Sequence, residues 1–392
     1  MLDTSTGVLV MIALAILILL FVGAIAVFSG DPPNKTSTHE AGERLRAPRA
    51  RPPRAYFQQG QTEQIEGAVP LKRAAIIVNP TKFEDVAATR RHVTAVCTRA
   101  GWDAPLWLET TKEDTGYGQG KQALEAGVDL VCSLGGDGTT RSVASALVGS
   151  TTPLGLLPGG TGNLLARNLG VPYDELDQAL RAAMGGQNLR VDVGRLTVNR
   201  SGEHQRPEEH IFLVMAGVGF DADIMADAPE QLKARVGWLA YGVSGVKHLK
   251  GAQFTARVRI DDKPEFTRKA RTILIGNCGR LTGGLVLLPQ AKVNDGWLDS
   301  VILSPEGLPG WVAVAMRVIA RRPRGHERVD HHRIKEIAIR TNGPEEVQLD
   351  GDTIGRARAI SARIEPKALT VRVPAEVLAA PSPSGRRESV GH

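Results

Sequence analysis

The chain has 392 residues, 42% hydrophobic and 23% charged, which is long enough for two domains and ordinary for a globular protein. Its three cysteines, Cys97, Cys132 and Cys278, lie far apart and form no CxxC pair, which argues against a disulfide framework or zinc site and for a reducing compartment. The formal net charge of +6 is weak evidence for a nucleic-acid partner.

Residues 7–28 carry no charge and are mostly Leu, Ile, Val and Ala. A run longer than about 18 such residues can span a bilayer. The first six residues hold no Lys or Arg, and the run is too long for a signal-peptide core, so residues 1–30 are expected to be a retained anchor rather than a cleaved signal. Lys35, Arg44, Arg46, Arg49, Arg51 and Arg54 follow the span. The positive-inside rule then puts the remainder of a single-pass cell-membrane protein in the cytoplasm. Residues 31–70 are rich in Pro, Arg, Gln, Glu and Gly and read as a disordered basic linker. Its arginines suit an anionic bilayer surface, although fixing topology alone explains them.

From residue 71 the pattern becomes globular. Apolar runs at 74–78, 105–109, 128–134 and 153–157 read as strands. Helical patterns at 84–100, 115–126, 141–148, 164–169 and 173–184 separate or follow them. The alternation predicts a parallel, doubly wound α/β domain over 71–188. Ligands of such sheets lie beyond the carboxyl ends of the strands. Three loops fall there: Asn79 to Lys82, Gly135 to Thr139, and Gly159 to Asn163. Over 189–375 the pattern changes to β-rich segments at 211–216, 255–260, 271–276, 298–303, 334–341 and 347–349, interrupted by helical stretches at 231–249 and 310–320. These predict an antiparallel β-sandwich or distorted barrel. The basic, amphipathic stretch 231–249 suits either a bilayer interface or packing on the sandwich. Residues 376–392 read as a disordered tail. No repeat or coiled-coil pattern is present, and the oligomeric state, a homo-oligomer included, stays open.

The loop Gly135-Gly136-Asp137-Gly138-Thr139-Thr140 follows a buried strand and opens a helix. Glycines let backbone approach a phosphate, and the free N–H groups of a first helical turn point at the anion. Asp137 makes sense there if a divalent cation or water stands between it and the phosphate. The plainer alternative is a tight turn with Asp137 as N-cap. Lys82 offers positive charge, and the third loop offers backbone N–H groups, the Thr161 hydroxyl and the Asn163 amide.

In order and spacing, Asn79-Pro80-Thr81, Gly135-Gly136-Asp137-Gly138-Thr139 and Gly160-Thr161-Gly162-Asn163 resemble the diacylglycerol kinase catalytic-domain family, with the soluble bacterial diacylglycerol, sphingosine and ceramide kinases. Leu288 to Asp299 and Leu349-Asp350-Gly351-Asp352 look like that family's second-domain segments. The resemblance implies ATP in a cleft between two domains and γ-phosphoryl transfer to a lipid hydroxyl. Its implied nucleotide contacts are Asn79, Pro80, Thr81, Lys82, Phe83, Thr111, Gly135, Gly136, Asp137, Gly138, Thr139, Thr140, Arg141, Ser142, Gly160, Thr161 and Asn163. It implies Mg²⁺ at Lys292, Asp295 and Trp297, the first and last through backbone carbonyls; Asp137 is expected to hold the catalytic Mg²⁺ through water, because Mg²⁺ keeps several waters and few carboxylates. Asp352 takes the position of the general base, which physics supports because an attacking alcohol must lose its proton; as plain structure, Asp-Gly here reads as a hairpin turn.

Two positions depart from the family pattern: Leu164 follows Asn163 where many bacterial members have Asp, and Asp352 is one methylene shorter than the usual Glu. The expected activity is a MgATP-dependent kinase of a membrane lipid, most naturally diacylglycerol, giving phosphatidic acid. A sphingoid-base or ceramide kinase, an NAD-kinase-like enzyme of a soluble metabolite, and a non-catalytic nucleotide-binding regulator are the alternatives.

Overall fold

The computed structural model describes residues 71–200, 206–219, 253–280, 286–305 and 329–379, all within the compact unit Ala68–His392. The expected anchor at 7–28, the linker 31–70 and the helical stretches 231–249 and 310–320 lie outside the described residues. Among the described residues no helix is long and apolar enough to cross a membrane.

Four short strands build the first half: β1 (Ala74–Val78), β2 (Leu106–Glu109), β3 (Leu130–Gly135) and β4 (Leu154–Pro158). They pair in parallel in the order β2-β1-β3-β4. All side chains of β1 and β3 are buried, as both faces of a parallel sheet require. Ala74, Ile76 and Val78 face one core with Val93 and Cys97 of α1 (Val86–Arg99) and Leu180 of α5 (Leu176–Gly185). Ala75 and Ile77 face the other, with Ala123 of α2 (Tyr117–Glu125), Val143 and Leu147 of α3 (Asp137–Leu147), and Leu165 of α4 (Leu164–Leu169). Helices therefore cover both faces, as the doubly wound reading requires. The first helix starts where Asp85 caps it, its carboxylate accepting from Ala88 N at 2.7 Å.

The second half is β-rich: β5 (Gln187–Asn199), β6 (Glu208–Phe212), β7 (Met215–Val218), β8 (Phe254–Ile260), β9 (Phe266–Ala270), β10 (Thr272–Gly276), β11 (Leu298–Leu303), β12 (Val329–Ile334), β13 (Glu336–Leu349) and β14 (Asp352–Val373). Its strands pair antiparallel around a core holding Phe212, Ile260, Ile273, Ile302, Ile337 and Ile360. β13 pairs β8 through Ile337–Thr341 and β7 through Val347–Leu349, with a bulge between, so one strand turns the corner between two layers.

Several sequence expectations change. Residues 211–216 are not one strand, because the N–H groups of Leu213, Val214 and Met215 turn to the Asp350 carboxylate and break the ladder into β6 and β7. β14 is longer than any strand the sequence suggests. It pairs β13 and β5, and its end joins β4 in parallel at Val371↔Leu154, so one hydrogen-bonded sheet runs through both halves. Leu369, Val371 and Val373 belong to the α/β core. Part of the expected tail is ordered too: α6 (Ala375–Ala379) places Val377 against that core.

Candidate active site

The three loops meet at the carboxyl ends of β1, β3 and β4. Asn79 N donates to Leu134 O at 3.0 Å, its Oδ1 accepts from Thr81 N and Oγ1, and its Nδ2 reaches Thr139 Oγ1 at 3.4 Å. The first loop is thus tied to the second. A Cβ added at Gly159 would stand 2.7 Å from Gly135 Cα, and one at Gly160 would stand 2.7 Å from Gly136 Cα. The second and third loops pack backbone to backbone, which only glycine permits.

Helix α3 opens with Gly136 as its N-cap, in extended conformation and without a side-chain cap. The N–H groups of Asp137, Gly138 and Thr139 therefore have no intrahelical partner and carry the positive end of the dipole. Asp137 is the first helical residue rather than the N-cap. Its Oδ1 accepts from Leu164 N at 2.7 Å, so it caps α4 from across the loops. Burial pushes its carboxyl up to about 6; the Leu164 N–H opposes this, and the charges of Asp350 and Asp352 add to it.

The other expected nucleotide residues divide. Pro80 to Lys82 form a 3-10 turn in which Thr81 and Lys82 are exposed, while Phe83 leans on the core. Thr111 follows β2 at the same sheet end and is exposed, as is Thr161. Ser142 Oγ bonds Thr115 Oγ1 at 2.6 Å. Thr140 is turned inward: it is buried and its hydroxyl meets Ser133 Oγ at 3.1 Å. The Asn163 amide is also spent internally, on Gly160 O at 2.7 Å and Tyr173 O at 3.3 Å, where it holds the third loop in a left-handed turn at φ 46°.

The β13–β14 hairpin reaches this loop cluster. Asp350 and Gly351 are its central residues, at φ 49° and 94°, the geometry Asp-Gly favours in two-residue turns. Asp350 is buried and accepts N–H bonds from Leu213, Val214 and Met215 at 3.1, 2.8 and 3.0 Å. Burial pushes its carboxyl up, and Arg141 opposes this. Asp352 is half-exposed, and a Cβ on Gly138 would stand 3.0 Å from its Oδ2. The hairpin reading of Asp350-Gly351-Asp352 is borne out, and the turn sets Asp352 over the start of α3.

Arg141, one of the expected nucleotide contacts, bridges the two halves. Its Nη1 donates to Leu349 O at 2.8 Å and its Nη2 to Asp352 Oδ2 at 2.9 Å, with Asp350 Oδ2 at 3.8 Å from Nη1. Nothing in the local sequence signals this pair.

At the second expected metal site, Asp295 accepts from Trp297 N at 3.2 Å and from Arg333 Nη2 at 2.7 Å. Arg333 and Lys335 lie over the Trp297 ring, 4.9 and 5.0 Å from its centroid, and Lys292 is exposed. The only carboxylate of this trio is already committed to an arginine, so the residues do not fit Mg²⁺ as they stand. Among the described residues no group of three His, Cys, Asp or Glu side chains is placed to hold a metal. At the loops, the charges of Asp350 and Asp352 add to the burial that pushes the Asp137 carboxyl up, so a cation beside Asp137 would relieve that repulsion. Sequence reasoning also missed Asp192, fully buried, which accepts from Gly296 N and Lys367 N and so pins the Asn294-Asp295-Gly296 turn to β14.

Two family models match the chain: the diacylglycerol kinase catalytic domain over residues 73–196, and the YegS C-terminal NAD kinase beta sandwich-like domain over 214–373. The diacylglycerol kinase of Bacillus subtilis (strain 168) is 29% identical over 290 residues, 72% of this chain and 89% of that protein. A "Probable lipid kinase YegS-like" of Klebsiella pneumoniae (strain 342) is 35% identical over 189 residues, 48% of this chain and 60% of that protein. In fold, a crystal structure of a diacylglycerol kinase from Bacillus anthracis str. Sterne superposes with a TM-score of 0.57 at 20% identity, covering 79% of this chain and 99% of that one. Both halves thus match in order, residues 73–196 the diacylglycerol kinase catalytic domain and residues 214–373 the YegS C-terminal domain, and a diacylglycerol kinase catalytic domain indicates an ATP-dependent lipid kinase.

Proposed function

We propose that the protein transfers the γ-phosphoryl group of ATP to the hydroxyl of a membrane lipid, with diacylglycerol the acceptor and phosphatidic acid the product. The observation that carries this reading is the Asp352 carboxylate standing over Gly138, at the uncapped start of α3. The N–H groups of that turn and exposed Lys82 bind and neutralise phosphate oxygens. Asp352 accepts the proton of the attacking hydroxyl, and Arg141 keeps its carboxylate aimed. Asp350, locked by three N–H bonds, fixes the hairpin that carries Asp352. Asp137 would hold Mg²⁺ through water, and the ion would supply further charge neutralisation at the phosphates.

The rest of the reading concerns place. An anchor at 7–28 tethers the enzyme to the surface that holds its substrate, and raises the effective concentration of each for the other. The kinase half then faces the cytoplasm, where ATP is supplied. A sphingoid-base acceptor is the second reading, favoured by Leu164, whose apolar side chain is buried beside the third glycine loop.

The test is label transfer from ATP in the presence of Mg²⁺, with the full chain in mixed micelles and a panel of lipid alcohols beside NAD. Label in diacylglycerol is the expected result. Label in a sphingoid base alone selects the second reading, and label only in NAD overturns both.

A further inference from the structure

We infer that the outward face of the β5–β14–β13–β8 layer is a docking surface for anionic phospholipid headgroups. Along β8, Phe254, Ala256, Val258 and Ile260 enter the core, and along β13 Ile337 and Ile339 do the same. The alternate residues face outward, and the pairing register assembles them into rows. One row reads Arg257, Arg340, Ala359, Asn199; the next reads Arg259, Ala338, Ser361, Thr197. Together they line an open groove of about 360 Å³, floored by the small residues and walled by three arginines.

Several arginines of the β-rich half pair with acids: Arg200 with Glu208, Arg356 with Glu346, Arg195 with Glu365 and Arg268 with Asp330. Arg257 and Arg340 instead stand directly opposite each other across two strands, and like charges so placed destabilise a sheet. Among the described residues no ion pair or hydrogen bond engages the guanidinium of Arg257, Arg259 or Arg340. Glu265 is the one acid lining the groove, which leaves the lining net positive by two, three arginines less one glutamate. An external anion removes the repulsion, and the Ser361 and Thr197 hydroxyls and the Asn199 amide add donors for phosphate oxygens.

The groove has no aromatic lining residue, so it lacks the stacking platform that single-stranded nucleic acids use. The choice of a bilayer as the anion's source rests on the lipid-kinase reading; the anion site itself does not.

The test uses the full chain in vesicles of phosphatidylcholine alone or mixed with phosphatidylglycerol, so that the chain meets both surfaces alike. Asn199→Cys carries an environment-sensitive fluorophore, and labelling is selective because Cys97, Cys132 and Cys278 are buried. The expected emission change grows with phosphatidylglycerol content and reverses at high salt. Arg257→Ser and Arg340→Ser each lower the docked-to-undocked ratio about fivefold, and Arg340→Ser keeps or raises the thermal midpoint because a repulsion is lost. An equal response in phosphatidylcholine, or no response at all, overturns the proposal. So does a response that inorganic phosphate or a single-stranded oligonucleotide reproduces, or a lowered midpoint in Arg340→Ser. Phosphoryl transfer is not read, so failure of the kinase reading would leave this result intact.

Discussion

Arg141 and Asp137 flank the first turn of α3 and do different work there. Arg141 joins the α/β half to the β-rich half through Asp352 and Leu349 O. Removing it frees the carboxylate to swing, and a misplacement of about 1 Å costs up to about a hundredfold in rate. Arg141→Ala is expected to lower kcat by roughly that factor with little change in the KM for ATP. Combined with Asp352→Ala it adds almost nothing further, because both remove one interaction; additive losses would separate the two residues. For Asp137, burial favours the neutral carboxyl, so the folded chain keeps a proton that the unfolded chain releases near pH 4. Stability therefore falls as pH rises from about 4 to about 6 and stays lowered above it. Asp137→Asn keeps an oxygen for Leu164 N and removes the titration. In chelator-treated protein its thermal midpoint is expected to match the parent's at pH 4 and exceed it at pH 8, by on the order of 2 kcal/mol in stability. An equal difference at both pH values would contradict that.

At the scale of elements, the glycine loops act as one unit because their backbones touch. Gly160→Ala would drive a methyl into Gly136 Cα, and backbone cannot yield as a side-chain tip can. The loops must part, and ATP binding measured by calorimetry is expected to weaken at least tenfold; unchanged affinity would mean the loops do not form the phosphate cradle. Gly185 has open space at its Cβ position, so Gly185→Ala serves as the control that binds ATP normally. These loops were legible in the sequence because each sits between an apolar run and a helical period, and the parallel strands are short and wholly apolar. The long strands were not. Asn342-Gly343-Pro344 reads as a break, yet β13 continues across it with a bulge. β14 contains Gly355 and Pro366 and shows one face to solvent for part of its length and none near its end, so no single period describes it.

For the whole molecule, the continuous sheet explains why the active site could be named but not assembled from sequence. Asp137 and Asp352 each carry a recognisable local motif, but their meeting depends on β14 returning from the second half to the edge of β4. The Arg141–Asp352 bond spans 211 positions and has no sequence signature. Asp192 is equally silent: an acid in a strand gives no sign that it will be buried and bonded to two distant N–H groups. The Lys292, Asp295 and Trp297 motif shows the converse. Arg333, from another strand, takes the Asp295 carboxylate.

The central claim is that the loop cluster and the Asp352 hairpin form one catalytic site. The direct measurement is Asp352→Asn in the full chain, with label transfer from ATP to diacylglycerol and ATP binding followed on the same preparation. The amide keeps the size and can still accept from Arg141, but it cannot take a proton. Transfer is expected to fall by about 10²- to 10⁴-fold while ATP binds as before. Transfer at the parent rate with the variant folded and ATP bound would show that Asp352 is not the base, and would contradict the account.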